Sequence, residues 1–570
     1  MATLRRSVLV AVAALVITAA AVAWFAVGSR PPSSDPSPRA TLLVATLRTE
    51  PTSFNRYSGP AFPTLVVTYL TQASLVRVNR VTDQVEPWLA ESWEASADGR
   101  SFDVRLREGV RFSDGVPFTA ADVEFSLQAA YDPRNPGPLN DALRINGQPI
   151  GVEVQSPTRL TLRFPTTYGP GLRVLDVLPM YPKHKLARFL ADGSLGKAMS
   201  STAPPEELVG LGPFRLERYD SGERLVFVRN PHYWRRDTDG RPLPKLDRVA
   251  MQIVSDQNAE LLRFQSGQTD LMQGEIRPED YALLKAAADQ GRIRLLDVGL
   301  SLDTHMLWFN LSPAASRGGR GWWLREDFRR AISRAVDRTQ FAETVYLGGE
   351  PAWNLVSPAN RVWYSEDIPR PHFDQAEARR LLAGMGLADR DGDGILQDAS
   401  GTPVRFTILV QSGITDAEKG AAFLRDALAK VGIGVDVAAL ELNALIGRWA
   451  KSDYDAVFHI MLFTDTDPAG NTDFWLSSGS SHMWNPQQQQ PATDWERQVD
   501  DLMRRQVALT DLSERRRLFA EVQRVVAEHN PALVFAVPRT FVGASTRLSG
   551  LTPAVRRPQI LWNPDVIAIQ

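Results

Sequence analysis

At 570 residues the chain exceeds what one hydrophobic core can serve and divides into two or three domains. Its 44% hydrophobic and 23% charged residues suit a soluble globular protein, and a net charge of −2 lacks the excess of Lys and Arg that nucleic-acid binding needs. The absence of cysteine excludes disulfides, thiolate metal sites, Cys nucleophiles and a lipid-modified N-terminal Cys.

Arg5 and Arg6 precede an uncharged, Ala/Val/Leu-rich run over residues 7–29. Basic residues ahead of an apolar run hold that end in the cytoplasm, so the bulk of the chain is exported. Residues 1–30 read equally as a cleaved signal peptide, with Ala21-Val22-Ala23 as a small-x-small cleavage site, or as a retained membrane anchor. The run is long enough for either, since a bilayer takes about 20 apolar residues. PPSSDPSP then makes residues 31–40 a Pro/Ser linker.

From Thr41, TLLVATLRTEPTSFN gives a short strand and a loop, and residues 64–77 a helix. In residues 87–127, Phe102, Val104 and Leu106 alternate with Asp103, Arg105 and Arg107, the period of a strand with one buried face. Asp98-Gly99 and Asp114-Gly115 mark turns, which predicts a hairpin. Thr119 three residues before Asp122 is a capping-box spacing, with Val123, Leu127 and Ala130 following at helical intervals. GVEVQSPTRLTLRF is a second hairpin, and the His184 of YPKHKL reads as structural, because no nucleophile motif accompanies it.

Gly210 and Gly212 do not form a phosphate loop: a third glycine and a following helix are missing, and Pro213 leads into a strand. Residues 246–272 read strand, helix, short strand, a βαβ-like unit. Met306, Trp308 and Asn310 alternate with Leu307 and Phe309 where the chain crosses into its second half. Residues 324–349 give one helix stopped by Gly348-Gly349, and residues 374–385 another. DRDGDG supplies the first acidic positions of a calcium loop, but Ser400 stands where the bidentate Glu belongs, and a polar turn is expected there. A helix over 416–431, strands over 431–440 and 454–462, and a helix over 513–529 complete the pattern, with a low-complexity loop at Gln487–Gln490. No Gly-x-Ser-x-Gly, Walker or His-Glu-x-x-His motif occurs, and the seven histidines show no metal spacing, so neither a catalytic nor a metal site is expected.

The order LAESWE, ADG, strand, LREGVRFSDG, FTAADVEFSL resembles the signature of the family 5 extracytoplasmic solute-binding proteins of ABC importers. GLGPFRLERYDSGERLVFVRNPHYW and LREDFRRAISRAVDRTQF match the same family, and the resemblance covers essentially everything after Ala40. It implies an α/β, two-lobe periplasmic-binding-protein-like fold of type II. The main part of lobe I takes residues 41–75, 205–300 and 535–570, its extra subdomain 76–204, and lobe II 301–534. It also implies a non-enzymatic protein without cofactor, monomeric, in the periplasm or at the extracytoplasmic face of the membrane. Such a protein passes a solute, by default a peptide, to a permease. The alternative is a membrane-anchored binding or sensor protein for a metal chelate, an opine-like amine or a glycan.

In peptide-binding members an Asp after a strand and shortly before a Pro meets the ligand's α-ammonium. Here FTDTDPAG offers Asp465 first and Asp467 second. The usual Asp stands four residues before the Pro, where this chain has Thr464, and Phe463 replaces the usual Trp partner. Trp484, Trp308, Asn310, Glu50 and Phe54 are the other ligand-contact candidates that the resemblance suggests.

Overall fold

A computed structural model describes residues 41–57, 62–135, 142–272, 276–315, 320–461 and 465–570. The leader-or-anchor segment and the linker lie outside the described residues, as does Phe463. Among the described residues no helix is long and apolar enough to cross a membrane.

The first half builds on a four-stranded sheet. Leu42–Leu47 pairs in parallel with Arg248–Ile253, and Arg224–Arg229 and Phe214–Asp220 continue it antiparallel. The long excursion between the first two of these strands folds a second four-stranded antiparallel sheet. There Ala90–Ala95 pairs with Ser101–Leu106, which pairs with Arg159–Arg163, and Gly151–Ser156 forms the other edge. Both expected hairpins are present. Phe102, Val104 and Leu106 are buried while Asp103 and Arg105 face water, so the alternation read from sequence is the alternation of burial. The capping box forms as well: Thr119 N–H donates to the Asp122 carboxylate at 2.8 Å ahead of helix Ala120–Tyr131.

A third sheet places Arg539–Ser545 between Leu271–Met272 and Ile293–Leu300. The chain leaves it after Leu300, enters a five-stranded sheet at Thr304, and returns after Val537, whose short strand Ala536–Val537 still pairs with Glu350–Pro351. In that sheet Gly434–Leu440, Arg405–Gln411 and Ala456–Met461 run parallel, Thr304–Phe309 runs antiparallel to them, and Ala532–Leu533 pairs antiparallel with Thr304–Phe309 and so shares the direction of the other three. Two short crossings, over 300–304 and 537–539, thus join two separately cored bodies. Crossings of this kind are where hinge rotation is absorbed.

The five-stranded sheet is covered on both faces. Leu307 and Phe309 pack with Phe328 and Phe406 on one side, and Met306 and Trp308 with Trp475, Trp484 and Phe519 on the other. Alternation along Thr304–Phe309 therefore selects between two cores, not between core and solvent.

The helix expected over 324–349 is two helices, Glu326–Ala335 and Arg338–Tyr346. Val336 is extended, and the Asp337 carboxylate accepts from the amides of Thr339 and Gln340, so a new N-cap restarts the helix where a continuous apolar stripe hid the break. The helix expected over 64–77 spans Phe62–Thr71, and Val76–Val78 is already a strand.

Candidate functional site

Between the two bodies lies a cavity of about 360 Å³. One wall is a single helix face: Phe62, Leu65, Thr68, Tyr69 and Gln72 border it at the three- and four-residue spacing of a helix side. Val66, Val67 and Leu70, on the opposite face, are buried in the first core. The second body contributes Val356, Ser357, Asn360, Trp475 and Phe519 from the opposing side.

A charged cluster closes one part of this space. Arg173 donates from Nε to Asp465 Oδ2 at 2.9 Å and from Nη2 to Asp465 Oδ1 at 2.6 Å. The same Nη2 reaches Asp83 Oδ1 at 2.6 Å, and Thr466 Oγ1 donates to that oxygen at 2.8 Å. Arg556, on the segment that returns to the first body, donates to Asp465 Oδ1 at 3.2 Å. Burial alone would raise the Asp465 carboxyl, but the Arg556 and Arg173 guanidiniums outweigh it and hold it well below the usual carboxylate range. Arg556 is shifted the other way: burial, then the neighbouring Arg80, lower its proton affinity against the pull of Asp465.

Arg80 pairs with Asp176 at 3.2 Å and contacts the Tyr69 hydroxyl. Its Nε and Nη1 are buried with no hydrogen-bond partner among the described residues. Each such buried unmet donor costs about 1–3 kcal/mol. Asp176 also accepts the Val78 amide, on Oδ1 at 2.8 Å.

Elsewhere the wall is aromatic. Trp88 lies between two guanidiniums, Arg77 at 3.7 Å and Arg235 at 4.3 Å from the ring centre, with Trp562 next to Arg77. Tyr233 donates to Asp565 Oδ2 at 2.8 Å, and Arg235 pairs with the same carboxylate.

Of the described ligand-contact candidates from sequence, Asp465 borders this cavity and Asp467, Trp484, Trp308, Asn310, Glu50 and Phe54 lie elsewhere; Phe463 lies outside the described residues. Asp467 turns into the second body, where Arg515 holds it through bonds of 2.9 and 2.6 Å. Trp308 and Trp484, 2% and 1% exposed, fill the core on one face of the five-stranded sheet. Asn310 follows the Thr304–Phe309 strand and fastens its end, donating to the carbonyls of Ser452 and Tyr454 at 2.9 Å each. Glu50 accepts from the Ser221 hydroxyl and Gly222 amide of an exposed turn, and Phe54 packs edge-on against Tyr219 at 5.9 Å. His184 pairs with Asp114 at 2.7 Å. The carboxylates of Asp389, Asp391 and Asp393 lie within 4.8 Å of one another, all exposed, and Asp389 and Asp393 accept from their own turn's amides.

Arg80, Arg173 and Arg556 had no mark in the sequence strong enough to find them. The nearest to a signal is Arg173, set between Leu172 and Leu175 in GLRVLDV, where a charge in an apolar run needs a buried partner.

A solute inside this cavity would be gripped from two sides and released only when the bodies part, so the molecule has the architecture of a hinged solute receptor. Comparison with known proteins agrees. The family described as "Bacterial extracellular solute-binding proteins, family 5 Middle" matches residues 84–483, and the chain belongs to that family. It is 27% identical over 531 residues to a "Probable ABC transporter-binding protein" of Deinococcus radiodurans, covering 88% of each chain. The oligopeptide-binding protein AppA of Bacillus subtilis, solved with a nonapeptide, superposes with a TM-score of 0.72 at 23% identity over 93% of this chain and 99% of its own. NikA of Brucella suis, solved with Fe(III)-EDTA, gives 0.76 at 23% identity over 93% and 100%. The protein is thus a solute-binding component of the ABC-importer type with a mixed α/β, two-lobe fold.

Proposed function

We propose that the cavity captures a short peptide and that the protein delivers it to the permease of an ABC importer. The observation that carries this reading is the cavity itself, about 360 Å³ and walled by both bodies. That volume is at the small end of the range of about 300–1,000 Å³ typical of small-ligand sites, which favours short ligands. Residues 41–75, 205–300 and 535–570 act as the main part of lobe I, 76–204 as its extra subdomain and 301–534 as lobe II, an arrangement supported by the sheet partners. Residues 1–30 direct or anchor the protein to the periplasm or the outer face of the cytoplasmic membrane, residues 31–40 serve as spacer, and the protein works as a monomer without catalysis. A second reading is favoured by the arginines on the wall: a carboxylate-bearing solute that is not a peptide, as in the NikA complex with Fe(III)-EDTA.

Native mass spectrometry of the protein purified from its own host, without refolding, tests this. A co-purifying mass that fragments into amino acids is expected. A chelate, opine or glycan mass overturns the peptide reading.

A further inference from the structure

The helix Phe62–Thr71 carries no charged residue, and both of its long sides are apolar. Val66, Val67 and Leu70 face the first core, whereas Phe62, Leu65 and Thr68 are half-buried on the cavity side. Thr68 donates its hydroxyl to the Thr64 carbonyl at 2.8 Å, so its polar group is turned onto the helix itself. A helix that is apolar all round requires cover on every side. On the second side what lies over it is the cavity.

The facing wall matches. Val356, Trp475 and Phe519 border the cavity from the second body, with Trp475 packed edge-on to Phe519 at 5.2 Å. The polar side chains beside them are engaged within the protein: Asn360 donates to the Thr466 carbonyl at 2.8 Å, and Ser357 to the Ser301 carbonyl. Charges on the wall are paired as well. Arg80 meets Asp176 at 3.2 Å, Arg557 meets Asp303 at 3.4 Å, Asp465 meets Arg173 at 2.6 Å and Arg556 at 3.2 Å, and Asp565 meets Arg235. A charged group brought among these pairs would give up its hydration and find the opposite charges already matched. An apolar group gains simply by leaving water.

We propose that the cavity selects its ligand by an apolar side chain, aromatic or branched aliphatic, held between the Phe62 and Leu65 face of the helix and the wall of Val356, Trp475 and Phe519. The inference rests on the reading of this cavity as the peptide site and narrows it to short peptides that carry a bulky, uncharged side chain.

The test uses the full-length chain, dialysed free of co-purified solute, and reads calorimetric affinity and the shift in melting temperature. The probes are trialanine, Ala-Leu-Ala, Ala-Phe-Ala, Ala-Lys-Ala and Ala-Glu-Ala, with phenylpropionamide and an aliphatic tricarboxylate as non-peptides. The Leu and Phe peptides are expected to bind about tenfold or more tighter than trialanine, the effect of burying one large apolar side chain, and the Lys and Glu peptides no tighter than trialanine. Leu65→Ser should shrink the preference for Phe over Ala to a few-fold. A charged peptide binding tightest, or all five peptides binding alike, overturns the inference and leaves the peptide reading standing. Binding of phenylpropionamide without any peptide overturns the peptide reading and supports the inference. Binding of the tricarboxylate alone, or of no probe, overturns both. The peptide series needs no variant, so it decides the matter even where a substitution impairs folding.

Discussion

Buried arginines serve the cleft and the interior of the second body in different ways. Arg338 spends its donors on fixed oxygens: the Ser333 carbonyl at 2.8 Å, the Ser333 hydroxyl at 3.0 Å and the Ala352 carbonyl at 2.9 Å. Arg329 does the same with the carbonyls of Trp323, Leu324, His529 and Asn530. Burial lowers Arg338 to about 9 and Arg329 to about 10, and among the described residues no carboxylate pairs with Arg338 to offset it. Arg173 and Arg556, by contrast, pair with a carboxylate carried by the other body. Interior arginines tie together what never separates, while those of the cleft tie together what must separate for a solute to leave.

The sharpest break of this contrast is Arg515→Met, which strands Asp467 as an unpaired carboxylate inside the second body. A loss of about 4 kcal/mol is expected in urea unfolding, with cleft affinity otherwise retained in the folded fraction. Arg338→Leu follows at about 3 kcal/mol, because it leaves two carbonyls and a hydroxyl without donors. Asp465→Asn should cost only about 1 kcal/mol, since the cleft can open and return Arg173 and Arg556 to water, and small-angle scattering should show a larger radius for the variant.

The sign of the pH effect follows from the depressed Asp465 carboxyl. Its contribution is fully present above the ordinary aspartate value of about 4 and is lost as pH falls toward its own lower value. The stability gap between wild type and Asp465→Asn should therefore narrow in acid; a gap independent of pH would count against the Asp465 ion pairs as its source. Smallest of all, Asp391→Asn in the exposed acidic turn should change stability by less than about 0.5 kcal/mol.

Local order was legible where local rules act. The hairpins, the Thr119–Asp122 capping box and the family segments were read from neighbours within a few residues, and the structure has them where the spacing puts them. Asp465 was found by its distance from Pro468, also a local mark. Its partners were not, because Arg173 lies 292 residues away in sequence and Arg556 lies 91 away. No periodicity records a meeting made by the packing of two bodies. Trp308 and Asn310 illustrate the converse. Their alternation is real, but a sheet covered on both faces gives it no cleft side.

Arg556, Trp562 and Asp565 reach the cavity only because Arg539–Ser545 carries the chain back into the first body. A ribosome makes those residues long after the helix Phe62–Thr71 that forms the facing wall. The cavity is therefore among the last features to be assembled during synthesis, and a chain still being made presents no finished trap to solutes around it.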